Sequence, residues 1–376
     1  MDAQNTLRVE TIDTLAGIRA LRDTWLVLEH ESADPHAAFQ SYAWCHAFTA
    51  TWCKGTAAKP FVLAAWDGEQ LAGILPLQTS GASLRRVAPL GAPHTQVIEA
   101  LVTSQDAADA IIHSLLRRRG FDILELGPVV EGGPLHRALL GSGEKCTPHP
   151  AEVLSAFDCS PLGSGEAYIA GLSKNRRRDY RRKIARLEEL GPVRLRSVLP
   201  GEDGFTELLT EALSMKREWL KRTGTLSLAL SDRRTDAFFD ALNAVDSGGT
   251  TIEVEALEAG DTLLAVALNL VGHGQRACYL SAYDEAHHIN SPGTLTHQLS
   301  IQRSIEEGLN SYSLLGYPTA FKQVWTNTQV PVVGWTKAMS PSGRLWLGLW
   351  IQGMRPRLKA TVQRVSGWLA QRRAQG

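Results

Sequence analysis

Residues 277–322 read ACYLSAYDEAHHINSPGTLTHQLSIQRSIEEGLNSYSLLGYPTAFK, and their order decides the fold. Ala277–Ala282 is short, apolar and aromatic, lying between Gly274 and the polar run Asp284–Asn290, as a buried strand does. Ser291 followed by Pro292 predicts a helix start, with the serine oxygen capping free amides and proline in the first turn, where its missing N–H costs nothing. At 100° per residue, Leu295, Leu299, Ile301, Ile305 and Leu309 fall on one arc with Gln298 and Gln302, which predicts a single buried face. Gly308 is placed to end the helix, Ser311–Leu315 reads as a second strand, and a loop then closes on Lys322. A helix that starts where a strand has just ended turns unpaired amides outward. Such a terminus attracts anions, phosphates above all.

Working outward, the remainder of the second half is helix first, then meander. Leu172–Leu190 is predicted as a helix capped by Ser173 and stopped by Gly191–Pro192, followed by a strand at Val193–Val198. Phe205–Lys221 and Asp232–Val245 read as helices, and Thr250–Leu257 and Thr262–Val271 as strands leading to Ala277. Gly272-His-Gly-Gln-Arg-Ala277 carries the letters of a dinucleotide fingerprint, but a strand on each side makes it a hairpin turn.

The first half repeats that layout. Thr14–His30 and Phe39–Trp52 are predicted helices; Phe61–Trp66 and Leu71–Leu77 form a hairpin across Asp67–Gly68. An apolar segment at Gln96–Val102, a helix at Ala107–Arg119 and a strand at Asp122–Leu126 follow. Gly127–Gly165, rich in Gly, Pro and Ser, is the expected boundary. The halves share a plan without a shared period, which we read as a degenerate duplication.

With 376 residues, the chain suits two ordinary domains or one large one, and 44% hydrophobic against 21% charged residues gives a full core. Lys+Arg and Asp+Glu balance at 39 each, so the distribution of charge is what informs. Gly308–Gly376 holds nine Lys or Arg and no acid. Lys174–Arg186 holds eight basic residues and one acid around a stripe of Tyr180, Ile184 and Leu187; RNA, a phosphorylated substrate and plain solvation all remain open for it. Past Arg344 the tail is apolar and basic, with Leu358, Val362, Val365 and Leu369 as a stripe. It is expected either to lie on a membrane or partner or to pack on its own domain.

Five cysteines without a C-x-x-C spacing predict reduced thiols and no zinc ribbon. The N-terminus lacks the pattern of a signal peptide and no apolar run spans a bilayer, so a cytoplasmic or membrane-peripheral protein is expected. No G-x-S-x-G elbow or phosphate-binding G-x-x-x-x-G-K-[ST] loop occurs. Asp284, His287 and His288 share one short loop, which cannot direct tetrahedral ligands, and no metal is expected.

The pieces L-S-K-N-R-R-R-D-Y-R-R at 172–182, M-K-R-E-W at 215–219, A-Y-D-E at 282–285, S-P-G-T-L at 291–295 and F-K-Q-V-W at 321–325 stand in a familiar order. The chain resembles the CelD/BcsL branch of the GNAT acyltransferases, close to the FemAB-type aminoacyltransferases, well over 160–330 and weakly in the first half. That resemblance implies an α+β fold of tandem GNAT-like domains, each a mixed, mostly antiparallel sheet flanked by helices. It places an N-terminal domain at 1–150, an acyl-CoA domain at 151–340 and a basic tail at 341–376. It also implies an acyl group on a thioester, acetyl-CoA or another acyl-CoA, passed to an amine on a small molecule, amino sugar or cell-envelope precursor.

On this reading Ser291, Gly293 and Thr294 hold the pyrophosphate and Leu280 lies along the pantetheine. Asp284 and His288 stand where a base is needed, Tyr283 and Tyr317 are proton donors, and Lys322 meets an anion or oxyanion. Asn175, Arg178, Lys216, Trp219 and Tyr317 are the expected substrate contacts. Where the family carries Gly-Asp before Tyr-Lys, this chain has Gly316-Tyr317 and Phe321-Lys322. Two other readings stay open: an aminoacyltransferase using aminoacyl-tRNA bound at Lys174–Arg186, and a non-catalytic scaffold of a polysaccharide-synthesis complex docked through the tail.

Overall fold

A computed structural model of the chain describes residues 7–32, 34–149, 152–245, 248–316 and 320–349. The first half runs β1 (Arg8–Ile12), α1 (Leu15–Ala20), α2 (Arg22–Ser32), α3 (Tyr42–Thr51), β2 (Lys59–Asp67), β3 (Gln70–Ser80), β4 (Arg86–Pro89), β5 (Leu101–Val102), α4 (Gln105–Arg117), β6 (Ile123–Val130), α5 (Pro134–Gly141) and β7 (Thr147–Pro148). The chain continues through β8 (Glu152–Asp158), α6 (Gly165–Gly171), α7 (Lys174–Glu188), β9 (Val193–Val198), α8 (Phe205–Thr223), α9 (Arg234–Asn243), β10 (Thr250–Ala259), β11 (Thr262–Gly272) and β12 (Gln275–Tyr283). It closes with α10 (Pro292–Glu306), β13 (Ser311–Ser313), α11 (Ala320–Trp325), β14 (Thr328–Ala338) and α12 (Pro341–Leu349).

All strands join one sheet, ordered β1-β2-β3-β4-β6-β14-β8-β13-β12-β11-β10-β9. Matching β1 with β9, β2 with β10, β3 with β11, β4 with β12 and β6 with β13 makes this order a palindrome. At its centre the partners are exchanged. β14, late in the chain, pairs with β6 of the first half, and β8 pairs with β13 of the second. β8 and β14 then pair antiparallel with each other. β4 runs parallel to β6, and β12 parallel to β13, so each half contains one parallel step in an otherwise antiparallel sheet. The expected fold, two mostly antiparallel α+β units in tandem, is the one observed.

Local chemistry explains most elements. His273 and Gly274 both take positive φ (50° and 72°) between Gly272 and Gln275, the two-residue turn that matches strand twist, so the expected hairpin forms. Ser173 caps α7 through the amide of Arg176, and Tyr180, Ile184 and Leu187 pack as the buried stripe against Leu257 and Leu264. The halves are fused by aromatics: Trp44 of α3 meets Phe238 of α9 edge-on, with centroids 4.9 Å apart.

Several expectations are corrected. The helix foreseen over Thr14–His30 breaks at Leu21, whose carbonyl is shared between the Trp25 amide and the Thr24 hydroxyl. Gln96–Val102 is strand only at its end, because the buried Glu99 carboxylate takes up the amides of Ala100 and Leu135. The Gly-, Pro- and Ser-rich stretch 127–165 is no linker throughout: it supplies β8, at the middle of the sheet. Lys322 sits on α11 and not in a loop. Most of the basic tail, from residue 350 on, lies outside the described residues.

Candidate active site

β12 stays paired with β11 along its whole length, but its parallel pairing with β13 stops at Ala277↔Ser313. Beyond that point Cys278–Tyr283 presents an edge that β13 leaves uncovered. A bulge sharpens the parting: Leu268 faces Leu280 while Asn269 faces Cys278, so Tyr279 is the extra residue. Its hydroxyl lies 2.7 Å from His94 Nδ1 of the first half.

A cavity of about 560 Å³ occupies the opening. Cys278–Ser281 form its floor, and the start of α10 (Ser291, Pro292, Gly293, Thr294) with Tyr283 and His288 forms one wall. Lys216 and Trp219 of α8 close another side, Leu314 and Lys322 a third, and Gln96 reaches in from the first half. Of the residues expected from sequence, Tyr283, His288, Lys322, Leu280, Ser291, Gly293, Thr294, Lys216 and Trp219 therefore meet at one place.

The cavity is basic. Lys216 Nζ donates to the Ser281 carbonyl at 3.1 Å and lies 4.2 Å from the centre of the Trp219 ring. Lys322 donates to the Leu315 carbonyl. Burial lowers the pKa of both amines, and the charge of Lys216 lowers Lys322 further. Among the described residues no carboxylate lines the cavity. His297 is almost fully buried between Tyr312 Oη (2.7 Å from Nδ1) and Ser281 Oγ (3.4 Å from Nε2), and burial drives its pKa down to about 4. At neutral pH it is uncharged and a poor proton acceptor. Cys278, pushed up to about 11 by burial, is a thiol there and not a nucleophilic thiolate.

The start of α10 differs from expectation. Ser291 takes φ 51° and its side chain makes no cap; instead its carbonyl accepts from the amides of Thr294 (3.0 Å) and Leu295 (3.2 Å). Pro292 has no N–H, so of the two amides expected at an anion, Thr294 is already engaged and Gly293 is the one left. A Cβ on Gly293 would stand 3.2 Å from Tyr283 Cδ1, so glycine keeps this corner open.

Other expected residues fall elsewhere. Asp284 caps the 3-10 turn Glu285–Asn290 by accepting from the Ala286 amide at 2.9 Å, and does not line the cavity. Asn175 and Arg178 are exposed on α7, away from the cavity wall. Tyr317 lies outside the described residues. Sequence reasoning missed Gln96, Cys278, Ser281, His297 and Leu314. None carried a clear signal: at 100° per residue His297 falls just off the arc assigned to the buried face.

Beneath α10 the buried face is more polar than its wheel predicts: Thr296, His297, Gln298, Ser300 and Ser304 are buried beside Leu295, Ile301 and Ile305. The cause is the sheet below, where buried Glu253, Glu255, Asn269 and Arg276 require partners. Ser300 Oγ donates to Glu255 at 2.5 Å, and Ser304 accepts from Arg276 at 2.6 Å.

Residues 174–323 match the family model of the acetyltransferase (GNAT) domain, a span that holds every cavity residue except Gln96. No curated protein matches the sequence. Among solved structures, the C-terminal domain (DUF2156) of a protein described as a lysylphosphatidylglycerol synthetase from Agrobacterium fabrum is similar, with TM-score 0.57 and 11% identity over 89% of this chain and 97% of that one. FemX is similar with TM-score 0.53 and 11% identity, covering 82% and 92% of the two chains. A protein of unknown function from Bacteroides thetaiotaomicron VPI-5482 follows, at TM-score 0.51 and 15% identity over 89% and 100%. These likenesses are of fold. Residues 174–323 of the second half are thus similar to the GNAT acetyltransferase domain, and the fold is that of two GNAT-like α+β halves in tandem.

Proposed function

We propose that the chain is an N-acyltransferase that takes an acyl group from an acyl-CoA thioester and passes it to an amine, on an amino sugar or a cell-envelope precursor. The observation that carries this reading is the open edge of β12. Backbone groups of Leu280–Tyr283, left by β13, suit a pantetheine arm lying as a further strand, and the Gly293 amide with the α10 dipole suits the pyrophosphate beyond it. In the transfer, the amine nitrogen bonds to the thioester carbonyl carbon and the C–S bond breaks. His288, whose Nδ1 is held 2.9 Å from the Glu285 carbonyl, leaves Nε2 for the proton of the attacking amine. Tyr283 donates the proton that the leaving thiolate needs. Lys216 and Lys322 set positive charge over the carbonyl oxygen as it becomes negative. His297 instead fixes Ser281 and Tyr312. A cytoplasmic site of action accords with free thiols at all five cysteines.

Calorimetry with acetyl-CoA tests the donor: heat of binding that is lost on Thr294→Glu supports it, and absent binding removes it. Aminoacyl-tRNA is the second reading, supported by exposed basic residues Arg176, Arg178, Arg181 and Arg182 along α7. It requires tRNA binding that weakens steeply with salt. Activity without CoA, in the presence of charged tRNA, would put that reading first.

A further inference from the structure

A second surface, remote in sequence from the acyl-transfer residues, carries charge of one sign. Arg85, just before β4, and Arg117, Arg118 and Arg119 at the end of α4 border a groove of about 840 Å³ that β14 and the start of α12 complete, and Arg86 follows as the first residue of β4. None of these five, nor Arg344, forms an ion pair among the described residues. Asp122, the acid in the described lining, accepts from the Ser340 hydroxyl and the Arg85 amide, and Lys337 of the lining pairs with Glu144 at 2.7 Å. A helix C-terminus favours a cation, which accounts for Arg117 in the last turn of α4. Arg85 and Arg86 come in from another strand, with their guanidiniums over the rings of Phe121 and Trp346.

Against this groove α12 is fixed from both sides. Gly343 is pressed to the Asp122 carbonyl so closely that a Cβ would stand 1.9 Å from that oxygen, and the Arg86 guanidinium lies 4.3 Å from the centre of the Trp346 ring. Thus held, the helix leaves Leu345 68% and Leu349 63% exposed, in the same turns as the Trp346 that meets Arg86. One helical turn apart, the two leucines form a small exposed apolar patch on that helix. The sequence beyond Leu349 adds six Lys or Arg and no acid.

We propose that α12 and the arginine groove dock the protein on an anionic bilayer, with Leu345 and Leu349 entering the interface and Arg85, Arg86 and Arg117–Arg119 meeting lipid phosphates. The combination of exposed leucines with arginines that form no ion pair among the described residues is what favours a bilayer over a nucleic acid, which would meet the charge and leave the leucines in water. No described helix is long and apolar enough to cross a membrane, so the attachment is peripheral.

The test is co-sedimentation of the full chain with vesicles of phosphatidylcholine alone and with one third phosphatidylglycerol. Binding to the anionic vesicles only, released by high salt, is expected. Each basic residue near such a surface contributes about fivefold, so Arg117→Gln/Arg118→Gln/Arg119→Gln should reduce partitioning roughly a hundredfold. Leu345→Ser/Leu349→Ser, at exposed positions and with circular dichroism unchanged, should reduce it at least about tenfold. Binding by both variants equal to the parent would assign attachment to the tail and overturn the proposal. So would indifference to anionic lipid, or RNA binding that only the arginine variant weakens.

Discussion

Lys216 donates to the carbonyl of Ser281 across 3.1 Å, tying helix α8 to the strand edge that β13 leaves open. One ammonium thus both satisfies a backbone oxygen in the cavity floor and carries charge into a site whose described lining holds no carboxylate. Replacing it by methionine keeps the stem over Trp219 and removes only the charge. We expect Lys216→Met to lower kcat/KM for acyl transfer by about a hundredfold or more, with most of the loss in kcat, since the charge acts on an oxyanion formed during reaction. A loss confined to KM would make Lys216 a binding residue only.

Gly293 supports a second test. Its missing side chain is what separates the first turn of α10 from the Tyr283 ring. Gly293→Val forces that ring to move and narrows the corner proposed for the pyrophosphate, at a position with ordinary helical backbone. Affinity for acetyl-CoA should fall at least about tenfold, near 1.4 kcal/mol, while the thermal midpoint changes little. Unchanged affinity in calorimetry would place the donor elsewhere.

Much of the fold is legible in the sequence because its second half obeys local rules. The Ser173 cap, the His273–Gly274 turn and the stripe of Tyr180, Ile184 and Leu187 each settle an element unaided. β14 is different. Pro331 inside it argues against a central strand, yet it lies between β6 and β8, with Pro331 opposite Val153 and its carbonyl accepting from Glu131. Close approach of Gly127 to Gly334, 2.7 Å for a Cβ on the former, helps seat it, and only tertiary structure reveals that. The site was legible where it follows the chain from Tyr283 to Lys322. Gln96 and His297 escaped because one arrives from the other half and the other reads as ordinary helix interior.

Burial of four titratable groups makes stability depend on pH in opposed ways. His94 and His297 are lowered to about 4 by burial, so between pH 4 and 6.5 the unfolded chain binds more protons and stability rises with pH. Glu29 and Glu99 are raised to about 7, again chiefly by burial, so between pH 4.5 and 7 the folded chain binds more protons and stability falls as pH rises. Glu99→Gln imitates the neutral carboxyl and keeps an oxygen for the amides of Ala100 and Leu135. Relative to the parent it should gain stability from pH 4.5 to 8, by up to about 3 kcal/mol, in urea unfolding at each pH. A difference that stays constant with pH would mean that Glu99 is ionised in the fold.

The buried charge cluster under α10 makes the last prediction. Arg276 is wholly buried; its Nε lies 2.8 Å from Glu253 and its Nη2 2.6 Å from Glu307, while Arg303 reaches Glu253 at 2.9 Å. Glu255, also buried, is pushed up by burial and then by the charge of Glu253, so the cluster has little spare positive charge. Arg276→Met would leave buried Glu253 with Arg303 as its remaining cation, beside the Ser197 hydroxyl and the Asn269 amide. We expect a loss of about 3–5 kcal/mol in urea unfolding. Arg276→Met/Glu253→Leu should recover a substantial part, because it removes the stranded carboxylate together with its partner. A single variant within about 1 kcal/mol of the parent would show that α10 is held by its apolar contacts. A double variant no better than the single one would assign the loss to packing rather than charge.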